Sequence, residues 1–143
     1  MNEEIIKKAG EIIKKNTREA SYCALGLIDK NGYPTISTIT ASTSEGIEYI
    51  TFCSGLYSNK AERIRGCDRA SVCFNTGGEY NISLVGTMEI ITDPEIKKEN
   101  WYSGLENHFS GADDPNYCVL RFRTKRYNLM VDWQETAGEL EVD

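Results

Sequence analysis

From Tyr22 to Trp133 the chain is cut into short runs of β-branched and aromatic residues, each closed by a turn signal. This punctuation restricts the fold more than any other feature. The runs are Tyr22–Ile28, Pro34–Ser42, Ile47–Cys53, Ala70–Asn75, Tyr80–Thr92 and a strand pair across Tyr117–Trp133 with a bend expected near Lys125. Between them stand Asp29-Lys30-Asn31-Gly32, Ser44-Glu45-Gly46 and Thr76-Gly77-Gly78-Glu79, the first carrying the Asn-Gly pair that favours a tight hairpin. Helical signals are few. Residues 1–17 read as an amphipathic helix, with Ile5, Ile6, Ala9, Ile12 and Ile13 on one side and Lys7, Lys8, Glu11, Lys14 and Lys15 on the other. Ser58 is placed to cap a short helix from Asn59 to Ile64 closed by Gly66, and Asp93-Pro94 opens another, expected over Glu95–Leu105. A polar loop, His108–Asn116, precedes the last strands, and segment 134–143 reads as a frayed acidic tail. Short antiparallel strands with few helices predict a mainly β, α+β domain arranged as a closed or nearly closed barrel.

Composition narrows what such a barrel can do. A length of 143 residues predicts one domain, and a formal charge of −6 disfavours nucleic acid as a partner. No run approaches the roughly 20 apolar residues of a membrane span. The acidic opening Met1-Asn2-Glu3-Glu4 carries no apolar signal region, so the expected compartment is the cytoplasm. The five cysteines, Cys23, Cys53, Cys67, Cys73 and Cys118, form no C-x-x-C pair and read as buried free thiols. His108 is the single histidine, and Asp113-Asp114-Pro115 has the composition of a turn, so no metal site is expected. A chain with a single histidine and no metal ligands or nucleotide-loop motifs must, if it is an enzyme, take its chemistry from an organic cofactor.

Two local patterns suit an anion. Ser58-Asn59-Lys60, after a glycine-containing turn, offers unpaired backbone N–H groups, a hydroxyl and an ammonium together. The same residues also suit a plain helix cap, and the pattern alone leaves both readings open. Arg121, Arg123 and Lys125 alternate along one strand beside Arg126, as either a steering face for an anionic substrate or nicotinamide, or a solvated sheet face.

The ordered set Gly32-Tyr33-Pro34-Thr35-Ile36-Ser37-Thr38-Ile39, Ile50-Thr51-Phe52-Cys53-Ser54-Gly55-Leu56-Tyr57-Ser58-Asn59-Lys60-Ala61, Ala70-Ser71-Val72-Cys73-Phe74 and Leu84-Val85-Gly86-Thr87-Met88-Glu89-Ile90 resembles the FMN-binding split barrels of the pyridoxamine 5′-phosphate oxidase-like superfamily. With Trp101 and His108–Tyr117 the likeness is strongest to the general stress protein branch. The resemblance implies a split antiparallel β-barrel that binds FMN, a homodimer with FMN at the subunit interface, and a small-molecule electron donor and acceptor. It places Ser37, Thr38, Ile39 and Thr40 along the flavin, and Cys53 and Ser54 beside the ribityl phosphate. Ser58, Asn59 and Lys60 fall on the phosphate turn, and Asn81 on a flavin-bonding glutamine. Trp101, Phe109 or Tyr117 would cover the flavin from the partner or serve as packing. The oxidases' basic, histidine-containing C-terminal motif is absent from Tyr127–Trp133, so the implied activity is that of an FMN-dependent oxidoreductase other than a pyridoxamine phosphate oxidase. The alternatives are a non-enzymatic flavin store or sensor, and a haem-binding barrel with His108 as ligand.

Overall fold

The structure, a computed structural model, describes residues 2–19 and 21–140. Its strands are β1 (Cys23–Ile28), β2 (Pro34–Ile39), β3 (Ala41–Glu45), β4 (Tyr49–Gly55), β5 (Arg69–Thr76), β6 (Tyr80–Ile91), β7 (Tyr117–Val131) and β8 (Gln134–Glu139). Helices are α1 (Asn2–Lys15), α2 (Asn59–Gly66) and α3 (Pro94–Asn100), with a single 3-10 turn at Leu105–Asn107. The strands form one antiparallel sheet in the order β2-β1-β5-β6-β7-β4-β3, and β8 pairs with the far half of β7.

That order explains the curl. β2 and β3 lie at opposite ends of the sheet, yet only Thr40 separates them in the chain. The sheet must therefore bend round until its ends meet, which makes the expected barrel. Pro34–Ser42, read from sequence as one strand, is thus split at Thr40, because Ile39 pairs with Cys23 whereas Ala41 pairs with Phe52. Arg18 bolts this corner: its backbone N–H reaches Ala41 O at 2.9 Å, and its Nε reaches Ser42 O at 2.8 Å.

Inside the curl lie Leu25, Ile50, Phe52, Ile82, Leu84, Leu120, Phe122 and Leu129, all essentially inaccessible. Each fully buried side chain of this size contributes about 1.5–3 kcal/mol. α1 closes one mouth with Ile5, Ala9 and Ile13. It sits directly on the β3–β4 turn, since a Cβ on Gly10 would lie 2.9 Å from Gly46 Cα.

Three further expectations are corrected. α3 ends at Asn100, short of Leu105, because Trp101 leaves the helix in extended conformation to pack edge-on against Tyr117, ring centroids 5.4 Å apart. Tyr117–Trp133 is not a strand pair: β7 runs unbroken for 15 residues, and the region near Lys125 is a bulge opposite Val85 and Gly86. The reversal comes at Asp132 and Trp133, and the supposed tail is ordered as β8 through Glu139, its backbone satisfied by β7. Residues 141–143 lie outside the described residues.

Candidate functional site

β4 ends at Gly55, and Ser58 opens α2. Ser58 is extended (φ −72°, ψ 161°), and its Oγ accepts the Ala61 N–H at 3.1 Å. Ser54 Oγ stands 3.0 Å from Ser58 Oγ, so two hydroxyls share the cap. The turn is held from behind by Leu56 N–H donating to Asn116 O at 2.7 Å and by the Arg65 guanidinium donating to Leu56 O at 2.6 Å. With Ala61 N–H and Glu62 N–H both satisfied at Ser58, the N–H groups of Asn59 and Lys60 have no acceptor among the described residues. Lys60 is half-buried and enters no ion pair among those residues. Open N–H groups and paired hydroxyls at a helix start, with Lys60 in the first turn, are donors of the kind that a phosphate-like anion takes. A cleft of about 480 Å³ opens beside it, lined by Asn59, Glu62 and Arg63 of α2 and by Ile28–Asn31 of the first hairpin; Asn59 is the one expected site residue on its wall.

A second group lies on the outer face of the sheet. Ser37 and Ile39 pair with the buried Leu25 and Cys23 and so face the barrel side, whereas Thr38 pairs with Ala24 and faces out. Thr38 thereby begins an outward row, Thr38, Ala24, Cys73, Ser83, made of small side chains. One step along, Asn75 opposes Asn81. Asn81 Oδ1 accepts from Asn75 Nδ2 at 3.1 Å and from Cys73 Sγ at 3.4 Å. Thr40 occupies the corner between β2 and β3.

Cys53 turns elsewhere. Its thiol donates to Asn100 O at 3.3 Å and lies 3.5 Å from the Tyr117 hydroxyl, under α3, so its side chain does not join Ser54 and Ser58. Burial pushes this thiol above its ordinary range, raises Cys118 to about 11 and Cys23 to about 12. All three stay protonated at neutral pH and are unsuited to nucleophilic work.

Sequence reasoning missed three residues. Asn100, 3% exposed, takes hydrogen bonds on Oδ1 from Ser42 (2.7 Å) and Thr51 (2.6 Å) and donates to Ile96 O, anchoring α3 to the barrel. Lys97, 8% exposed, donates to Asp114 O at 3.0 Å and lies over the Tyr117 ring, pinning the loop that carries Asn116. Trp133 is 79% exposed at a backbone φ of 65°. An Asp-Trp pair where hairpins take Asn-Gly was the signal available for it; nothing local marks the other two. Asp114 is the turn former expected, accepting N–H groups from Ser110 and Asn116, which hold its carboxyl below the usual range. Arg121 is spent on Glu89 at 2.6 Å. His108 is exposed beside Phe109, and no metal-binding cluster occurs among the described residues. No described helix is long and apolar enough to cross a membrane.

Comparison with known proteins agrees with this architecture. General stress protein 26 of Bacillus subtilis (strain 168) is 30% identical over 90 residues, 59% of this chain; the match spans 64% of that relative, just under two thirds of its length. A crystal structure of a general stress protein 26-related protein from Clostridium acetobutylicum superposes with a TM-score of 0.81 at 22% identity, covering 98% of this chain and 97% of that one. A pyridoxamine 5′-phosphate oxidase-related, FMN-binding protein from Nostoc punctiforme gives 0.64 at 14%, covering 95% and 96%. A heme binding protein from Mycobacterium smegmatis gives 0.72 at 15%, covering 94% of this chain and 57% of that one. At these identities the structural likenesses show the fold, a split barrel. The family profile described as pyridoxamine 5′-phosphate oxidase matches residues 9–131, and the chain belongs to that family.

Proposed function

We propose that this chain is an FMN-binding flavoprotein that moves electrons between small molecules, working as a homodimer with the flavin held between subunits. The observation that carries the reading is the start of α2, where Ser54 and Ser58 share the cap, the N–H groups of Asn59 and Lys60 are open, and Lys60 adds a cation in the first turn. These are hydrogen-bond donors and a positive charge of the kind that a phosphate monoester takes. On the outer face, Thr38 and Asn81 offer polar contacts beside the small residues Ala24, Gly26, Ser71 and Cys73, which let a flat ring or a second subunit approach closely.

When bound, FMN would supply the hydride and electron chemistry. The chain's own residues bind and orient: Lys60 and the α2 start neutralise the phosphate, Asn81 donates to the ring edge, and the Lys97-pinned loop fixes Asn116 behind the α2 start. Cys73, the perturbed thiol on this face, is pushed up by burial and committed to Asn81, so we name no proton donor.

The visible spectrum of the purified protein, with the ligand released by acid, tests the reading. Two flavin bands and free FMN are expected. A Soret band in its place, or a colourless protein that ignores added FMN, would overturn it. Lys60→Ala should weaken FMN binding about tenfold to a hundredfold by removing a charge-assisted contact, measured by fluorescence titration. Unchanged affinity would move the phosphate elsewhere.

A further inference from the structure

The outer row of β5 and β6 contains a hydrogen-bond chain whose direction is set by a group with no alternative. Asn75 Nδ2 lies 3.3 Å from the Tyr80 backbone carbonyl, which can only accept, so this end of the Asn75 amide is its NH2. The same nitrogen lies 3.1 Å from the Asn81 side chain, whose facing atom must then be the carbonyl oxygen. Cys73 Sγ points at that oxygen from 3.4 Å. Burial raises the Cys73 thiol, which keeps it S–H and able to donate. Both acceptor positions of Asn81 Oδ1 are therefore filled by its neighbours on the same face. Its Nδ2 finds no acceptor among the described residues, and Asn81 is only half-buried, so those two N–H donors face the open side.

We infer that Asn75 and Cys73 are positioning residues that hold Asn81 as a donor only, so that the outer face selects a ligand edge bearing an acceptor, such as the dione carbonyls of a flavin. The inference rests on the flavin reading for the ligand's identity, but the lock is a property of this chain alone. Without it, the Asn81 amide could rotate and offer its carbonyl, and the preference for an acceptor edge would be lost.

The test is titration of the full chain with FMN and with riboflavin, which keeps the ring and lacks the phosphate. Asn81→Asp replaces the donor with an acceptor and should weaken both ligands about ten- to a hundredfold. Asn75→Asp can no longer donate to Tyr80 O or Asn81 Oδ1; it should draw the Asn81 NH2 inward and weaken both ligands by roughly threefold to thirtyfold. That variant should also shift the long-wavelength flavin absorption band, which a mere loss of packing would not do. A thermal melt by circular dichroism checks folding, and Asn81→Ser serves if the carboxylate prevents it. Loss confined to FMN would trace to charge repulsion of the phosphate and overturn the lock. So would unchanged affinity and band position in both variants, with the flavin reading intact. Wild-type protein that binds neither flavin would overturn the flavin reading itself and the acceptor-edge assignment with it.

Discussion

Gly86 is the residue on which the sheet's bend depends. A Cβ there would fall 1.9 Å from Arg123 O and 2.8 Å from Arg123 C, both backbone atoms that cannot swing aside. The close approach comes at the register shift between Val85 and Gly86, where β7 carries an extra residue. Bulges bend strands, and this one lets the 15-residue β7 serve β4 at one end and β8 at the other. Gly86→Ala should destabilise the protein by about 3 kcal/mol, as overpacking against fixed backbone does. Urea unfolding monitored by tryptophan fluorescence measures it, and a loss below about 1 kcal/mol would mean that the bulge can relax. In the sequence, Gly86 lies unmarked inside the run Tyr80–Thr92; its opposing backbone comes from a strand far along the chain.

At the scale of elements, the β7–β8 hairpin turns on Asp132 (φ 52°) and Trp133 (φ 65°), a left-handed pair that glycine and asparagine adopt with little cost. A bulky residue held there costs on the order of 1–3 kcal/mol. The surface pair between Lys8 and Asp132, 3.7 Å apart and well exposed, returns little of that. Replacing the pair with Asn-Gly (D132N/W133G) should raise stability by about 1 kcal/mol or more. A higher denaturation midpoint at unchanged m-value is the expected result; a lower one would show that the Trp133 ring packs over Gly78 strongly enough to outweigh the strain. This hairpin is also where the strand pattern misleads. The acidic, polar run 134–139 lacks the apolar alternation of a strand, yet it forms β8 because β7 offers it a free edge.

Across the whole molecule, the outer face of β2, β1, β5 and β6 exposes Ile36 (79%) and Val85 (38%) on either side of Gly26 and Ser71 in one register row. A face of small residues edged by exposed apolar side chains suits a second copy of this chain. Ile36→Lys should shift sedimentation from dimer to monomer and lower FMN affinity in parallel, since the proposed flavin site spans both subunits. A dimer that persists with full affinity would place the interface on another face. This row carries no charged side chain before Arg126 at its far end, so the association should respond weakly to salt.

Much of this protein is determined by the sequence alone. The apolar stripe of α1, the Asp29–Gly32 hairpin, the Ser58 cap and the Asp93-Pro94 start all act through neighbours a few residues away, and the structure places each where its local signal lies. Only the tertiary structure decided that Thr40 is a corner, that Thr38 faces out while Ser37 and Ile39 face in, that Cys53 turns to Asn100, and that β7 runs unbroken. Which strand pairs with which, and which face it then shows, depends on contacts between residues distant in the chain. A one-residue slip exchanges the two faces of a strand without altering its composition.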